Sequence, residues 1–202
     1  MSLLTNWGYL IDNDDTQLPD MINTTEFDNL TARKYAGDAR IIPNISAAQA
    51  AIRNYCGWHV SPPLPCIFEA DSISTGRVIQ LPARYVSSVE SVTFNGETLP
   101  PESYHLKSNG LLYFNRKVLG CSWGDIIVKY TAGIPEGLMD AIKELIAHRV
   151  THALAQSYGV QSEAAGGVSV TYNATWTNNA RATALPSDNK EVLAPYRLQG
   201  VF

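Results

Sequence analysis

A helical pattern closes at Asn54-Tyr55-Cys56-Gly57-Trp58, and the next one opens only at Pro135. Between them the apolar period changes from that of a helix to that of a strand. This order predicts an α+β chain whose helical core is interrupted by an inserted antiparallel β module at residues 64–132. The core then comprises residues 23–63 and 133–202, and residues 1–22 precede it as an arm. The interruption contains no catalytic motif, so the order points to a structural, assembling protein.

Capping chemistry sets the helix boundaries. Asn23-x-x-Glu26 has the form of a capping box, in which cap and third residue satisfy each other's backbone donors. Phe27 and Leu30, then Lys34 or Tyr35, give this short helix one face. Ser46-Ala47-Ala48-Gln49 repeats the logic and starts a second helix, Ala47 to Cys56. Gly57 stands where a left-handed cap is needed, and Pro62-Pro63 forbids continuation. Trp58, directly after the cap, reads as a core residue. A long helix is expected over about 136–158, with Leu138, Ile142, Leu145, Ile146, Val150, Ala153 and Leu154 as its apolar stripe. Ser187 or Asp188 caps a last short helix that ends near Pro195-Tyr196-Arg197.

Strands are expected at Ile67-Phe68, Val78–Leu81, Val86–Phe94, Tyr104–Leu106, Leu111–Phe114 and Ile126–Tyr130, as a small antiparallel sheet or sandwich. Within Val86–Phe94, Val86, Val92 and Phe94 share one parity and Val89 takes the other, so a bulge near Ser87-Ser88 is expected. Asn95-Gly96 signals a two-residue hairpin, because both central positions need positive φ. After Gly166-Gly167 comes the cleanest alternation in the chain. Val168, Val170, Tyr172, Ala174 and Trp176 share one face, and Ser169, Thr171, Asn173 and Thr175 the other. Asn178-Asn179 turns this run into a C-terminal β-hairpin. A free two-stranded ribbon is marginal alone. Its apolar side is buried either within its own subunit or against the next one, and the residues leave both open.

Composition narrows the function. Of 202 residues 45% are hydrophobic, enough for a real core, but only 17% are charged, against the usual quarter or so. A surface this poor in charge is covered by small polar residues or by other subunits. A net charge of -4 does not suit wrapping nucleic acid by phosphate neutralisation. The three cysteines Cys56, Cys66 and Cys121 form no Cys-x-x-Cys pair, so buried thiols in a reducing compartment are expected. Residues 1–10 lack the pattern of a signal peptide. No apolar stretch approaches the roughly 18 residues of a membrane span. The expected setting is a cytosol, or a particle assembled there, without a membrane partner.

Glu144, His148 and His152 fall on one helix face, four apart, which is the spacing of zinc proteases. Those enzymes place their general base directly after the first histidine; here that position is Arg149, a cation that repels a metal. No Gly-x-Ser-x-Gly elbow is present. Gly166-Gly167 leads into a strand rather than a phosphate-binding helix. Glu90, Glu97 and Glu102 read as solvated loop charges, and Asp12 to Asp15 lacks the glycine and terminal glutamate of a calcium loop. No catalytic residue, metal ligand or cofactor is therefore assigned. A metal-dependent hydrolase is the alternative from another class, separable by metal analysis.

Ala47 to Pro63 (AAQAAIRNYCGWHVSPP) resembles the opening of head–tail connector proteins of tailed phages, also called adaptor or head completion proteins. Leu81-Pro82, Val86-x-x-Val89-x-x-Val92, Asn95-Gly96, Gly110-Leu111-Leu112 and Trp123 resemble their β insertion. Val128–Gly133 with Pro135 resembles its exit strand. Gly166–Val170 and Leu193–Arg197 resemble the C-terminal part. The resemblance covers roughly residues 24–197 and leaves the N-terminal arm outside.

What it implies is a structural virion protein of the neck, assembled in the host cytoplasm as a ring, commonly dodecameric, beneath the portal protein. Such a ring closes the DNA-filled head and offers a platform to a stopper or tail-terminator protein. It continues the channel and passes genomic DNA without sequence-specific binding. On that expectation Val168, Val170, Tyr172 and Trp176 make the subunit or portal contact, with Tyr196 and Arg197 as a second one. A stopper or tail-terminator is the alternative within the neck. Those proteins are mostly β, and the capped helices at 47–56 and 136–158 count against that reading.

Overall fold

A computed structural model of the protein describes residues 2–12, 17–70, 77–115, 126–155, 162–165, 168–171 and 185–198. The chain starts with β1 (Ser2–Leu4) and β2 (Leu10–Asp12), followed by α1 (Thr24–Leu30) and α2 (Ile41–Cys56). A run of strands comes next: β3 (Leu64–Ala70), β4 (Val78–Gln80), β5 (Val86–Phe94), β6 (Glu97–Thr98), β7 (Tyr104–Lys107), β8 (Leu111–Phe114) and β9 (Ile126–Ala132). A 3-10 turn at Glu136–Leu138 precedes α3 (Asp140–Ala155), then come β10 (Ser162–Ala165), β11 (Val168–Thr171) and α4 (Ser187–Leu193). The class is α+β with antiparallel sheets. Contacts divide it into one unit of Met1–Pro19, Cys56–Leu138 and Tyr196–Phe202 and another of Asp20–Tyr55 and Met139–Pro195.

The first unit is built on a sheet in the order β1-β2-β3-β9-β5-β6, with a second sheet ordered β4-β8-β7. Strand β9 is central to the larger sheet and alternates: Ile126, Val128, Tyr130 and Ala132 are buried, while Lys129 is exposed. Its partners on β5 are Phe94, Val92, Val89 and Val86 respectively. Two register shifts, between Val86 and Ser88 and between Val89 and Ser91, make this pairing possible. Each shift inserts one residue, so apolar residues spaced by three all meet the same face of β9. One bulge was expected from the sequence; it carries Val89 to the face of Val86, and the second brings Val92 and Phe94 to the same face. Asn95 (φ 50) and Gly96 (φ 82) make the tight turn into β6, in accord with the hairpin signal.

The segment read as an arm over residues 1–22 contributes to this sheet. β1 pairs with β2, and β2 with β3 through Leu10–Ile67 and Ile11–Cys66. The physical reason is burial: Ile11 is 0% and Tyr9 2% exposed.

In the second unit the capping box forms as expected. Glu26 N–H donates to Asn23 Oδ1 and Asn23 N–H to Glu26 Oε2, both at 2.9 Å. Glu26 also accepts from Lys143 Nζ of α3 at 2.5 Å. Phe27 beside it is fully buried. Helix α2 begins at Ile41, six residues before the expected Ala47. Asp38 is the reason: its carboxylate accepts from the Arg40 backbone N–H at 2.9 Å, and its carbonyl from Ile41 N–H at 3.1 Å. Pro43 is tolerated because first-turn N–H groups have no helical acceptor. Helix α3 begins at Asp140 rather than 136, since 136–138 is a 3-10 turn. Leu138, expected in the apolar stripe, is therefore exposed, and Met139 is buried in its place. Ile142, Leu145, Ile146, Val150 and Leu154 are buried on α3 as the spacing predicts; residues 156–158 of the expected helix lie outside the described residues. No helix among the described residues is long and apolar enough to cross a membrane.

Candidate functional site

Three places in the chain are candidates: the ribbon at 162–171, the segment Tyr196–Leu198, and the polar groups of helix α3.

The described part of the ribbon pairs the start of the alternating run with a strand that precedes it. Val168 and Val170 stand on β11, which pairs antiparallel with β10 in the register Glu163–Val170 and Ala165–Val168. The turn expected at Asn178-Asn179 lies outside the described residues. The first strand, Ser-Glu-Ala-Ala, carries no strand signal, because alanine and glutamate are poor strand formers. Among the described residues no third strand extends this sheet. Tyr172 and Trp176 lie outside the described residues.

Tyr196 and Arg197 belong to the other unit. Trp58 Nε1–H donates to the Tyr196 carbonyl at 2.7 Å, and Leu198 N–H donates to the Cys56 carbonyl at 2.9 Å. One side-chain and one backbone hydrogen bond thus hold residues 196–198 against the 56–58 corner, where Gly57 takes φ 77 as the left-handed cap. Trp58 itself is fully buried. The Tyr196 side chain is half-buried and that of Arg197 is exposed.

Next to this corner sits a buried polar group that the sequence did not reveal. His59, 0% exposed, donates its backbone N–H to the Tyr9 hydroxyl at 3.0 Å. Its Nδ1 lies 2.7 Å from the same hydroxyl, and its Nε2 lies 2.8 Å from the Ala132 carbonyl. A carbonyl only accepts, so Nε2 carries a proton. The group ties the entry to β2, the 59–63 loop and the end of β9 together. Its elements are hydrogen-bonded to each other, which marks it as structural.

On α3 the rings of His148 and His152 lie 6.5 Å apart, tilted by 35°. His152 is held below its ordinary pKa by burial and then by His148. Arg149 between them is buried, and burial lowers its pKa too. Among the described residues no three His, Cys, Asp or Glu side chains converge as a metal site. Neither cysteine among the described residues suits a nucleophile: burial pushes Cys56 and Cys66 each up to about 12. In the folded chain both are expected to resist iodoacetamide at mildly alkaline pH and to react once urea unfolds it. Peptide mass spectrometry reads this; modification of either residue before unfolding would contradict its burial.

Comparisons with known proteins agree in direction. No curated protein matches the chain. Among solved structures, the chain is similar to one from the neck of an empty GTA particle computed with C6 symmetry. The identity is 18%, the TM-score 0.56, and 94% of this chain and 96% of that one are covered. A second likeness, to a chain in the virion of a native gene transfer agent (GTA) particle, has 18% identity and a TM-score of 0.53 over the same shares. At such identity these likenesses concern the fold. A family model is more direct: that of the head completion protein matches residues 20–198. This chain belongs to the head completion protein family.

Proposed function

We propose that copies of this protein form a closed ring, of twelve subunits on the expectation above, in the neck of a tailed phage beneath the portal. There the ring joins the DNA-filled head to the tail and continues the channel. The observation that carries this reading is the family match over residues 20–198. Membership in that family makes the chain a structural protein of the virion rather than an enzyme. The fold shared with a neck component over nearly both whole chains supports the position. A net charge of -4 suits a channel that DNA crosses without adhering.

In this reading α1, α2 and α3 form the connector core, and the ribbon is its contact element. Two short strands do not stabilise themselves in water, so the face of Val168 and Val170 needs cover. The next subunit or the portal supplies it, with Tyr172 and Trp176 extending the apolar side. Tyr196 and Arg197 form a second contact, and a stopper or tail-terminator binds the far side of the ring.

Complementation tests this. Filled heads and free tails from a lysate lacking the protein are mixed with the purified chain, and plaque-forming particles are counted. Infectivity should rise by orders of magnitude with the wild-type chain. With a Trp176→Ala chain that is equally folded by circular dichroism, it should stay near background. No gain with wild type contradicts the joining role, and full activity of Trp176→Ala removes the ribbon from the interface.

A further inference from the structure

The large sheet ends in very short strands on both sides. Its long strands β3, β9 and β5 have seven, seven and nine residues, whereas the end strands β1 and β6 have three and two. The family match starts at residue 20, after both β1 and β2. Within the matched residues the sheet therefore ends on β3, which pairs with β9 from Leu64 to Ala70. Its other side, with the apolar run Cys66-Ile67-Phe68, would be an open edge. Such an edge presents a row of unpaired N–H and C=O groups on which another chain can lay a strand. The hairpin of β1 and β2 takes that place. Its turn is built locally. Thr5 N–H and Oγ1–H both donate to the Tyr9 carbonyl, at 3.2 and 2.6 Å, and Trp7 N–H donates to Thr5 Oγ1 at 3.3 Å. Tyr9 then seats the hairpin. It is 2% exposed, and its hydroxyl meets the backbone N–H and Nδ1 of His59 at 3.0 and 2.7 Å. Ile11, 0% exposed, adds a second buried side chain. The pairs Leu10–Ile67 and Ile11–Cys66 place β2 on the apolar run itself.

We infer that this hairpin is an edge guard: it closes the β3 end of the sheet against strand addition by other copies of the chain. A guard must leave a poorer edge than the one it covers. β1 does so by its length, because so short a strand offers too few hydrogen bonds to template a partner. Leu4 on β1 is 76% exposed, but a lone apolar residue on a surface is ordinary. The opposite end of the sheet reaches the same result by other means. The Asn95-Gly96 turn folds the two residues of β6 back on β5. Glu97 sets an exposed charge there, and two register shifts distort β5. Short strands, edge charges and bulges are the devices that blunt a sheet edge. The inference does not depend on the ring reading; it directs any contact between copies away from the ends of this sheet.

Unseating the hairpin in the full-length chain tests this. The double variant Tyr9→Ala/Ile11→Asp removes the seating ring and puts a carboxylate at a fully buried position. Tyr9→Phe, which loses the hydroxyl alone, is the milder second variant should the first not fold. Size is followed by sedimentation velocity over a concentration series, and amide hydrogen exchange is read on peptides covering residues 2–12, β3 and β9. The double variant should keep wild-type protection in β9 and lose it in residues 2–12. It should form species larger than those of wild type, at concentrations about tenfold or more below any at which wild type does so. Protection of Leu64–Ala70 should rise as it associates. Ile67 is half-buried, so a lysine there reaches water and charges the bared edge. Adding Ile67→Lys should therefore return the size distribution to that of wild type, a rescue that association through unfolding would not show. Tyr9→Phe should shift in the same direction by a smaller amount. A wild-type size distribution for the unseated chain overturns the guard, as does association that Ile67→Lys fails to reverse. Loss of β9 protection in both Tyr9 variants overturns it too, because the hairpin is then part of the core. So does unchanged protection of residues 2–12 in the double variant, because the hairpin is then not seated through Tyr9 and Ile11.

Discussion

Replacing Trp58 by alanine is expected to remove about 3–5 kcal/mol of folding stability. The indole is fully buried, so truncation leaves a cavity whose lining loses its dispersion contacts. It also strips the Tyr196 carbonyl of its donor, now at 2.7 Å. That loss frees residues 196–198, whose other tie to the same corner is the Leu198 N–H bond to Cys56 at 2.9 Å. Against a typical total of about 5–15 kcal/mol, the change is large. Urea unfolding followed by far-ultraviolet circular dichroism measures it. Trp58→Phe should cost less than Trp58→Ala, since it keeps a six-membered ring and loses the pyrrole part with its N–H. A midpoint unchanged in Trp58→Ala would mean that the corner is not a core.

Gly133→Ala should be comparably disruptive although it adds a single methyl group. Gly133 has φ 137, a conformation that side chains rarely adopt, and a Cβ there would overlap the backbone of Pro62 and Pro63. The dihedral strain costs about 1–3 kcal/mol, and forcing the two segments apart costs a similar amount. Neighbouring bonds prevent relief. Gly133 N–H donates to Tyr85 at 3.0 Å, Ile134 N–H to Val60 at 2.8 Å, and the Ser61 hydroxyl to the Ile134 carbonyl at 3.2 Å. His59 on the Ala132 carbonyl closes the same seam. Gly137→Ala is the control, because a Cβ there meets nothing within 4 Å. Its urea midpoint should match wild type while that of Gly133→Ala falls sharply. Equal midpoints for the two variants would contradict the close approach.

Much of this fold is legible in local chemistry. Asn23-x-x-Glu26 forms its capping box, Asn95-Gly96 forms its turn, and Gly57 caps α2, because each signal acts within a few residues. The spacing Val86-x-x-Val89-x-x-Val92 breaks alternation, and the break itself is informative: two bulges, one more than expected, put all three valines on one face. What stayed hidden depends on distant partners. Tyr9 and Ile11 read as a sticky arm, since nothing near them in sequence shows that β3 will pair with them. Asp38 starts α2 early through a side-chain bond that competes with the more regular signal at Ser46. The ribbon hid its first strand, because Ser162–Ala165 has helix-like composition and becomes a strand only by pairing. Tyr196 and Arg197 were expected as a contact to another subunit or the portal; that the Trp58 indole and the Leu198 amide tie residues 196–198 to the 56–58 corner was not legible, because it depends on distant partners.

The account's central claim is that this protein joins head to tail. Electron microscopy of a lysate from a phage lacking the gene tests it most directly, by counting particle types. The account predicts DNA-filled heads without tails beside free, finished tails, with intact virions rare. Intact virions in normal numbers would contradict it.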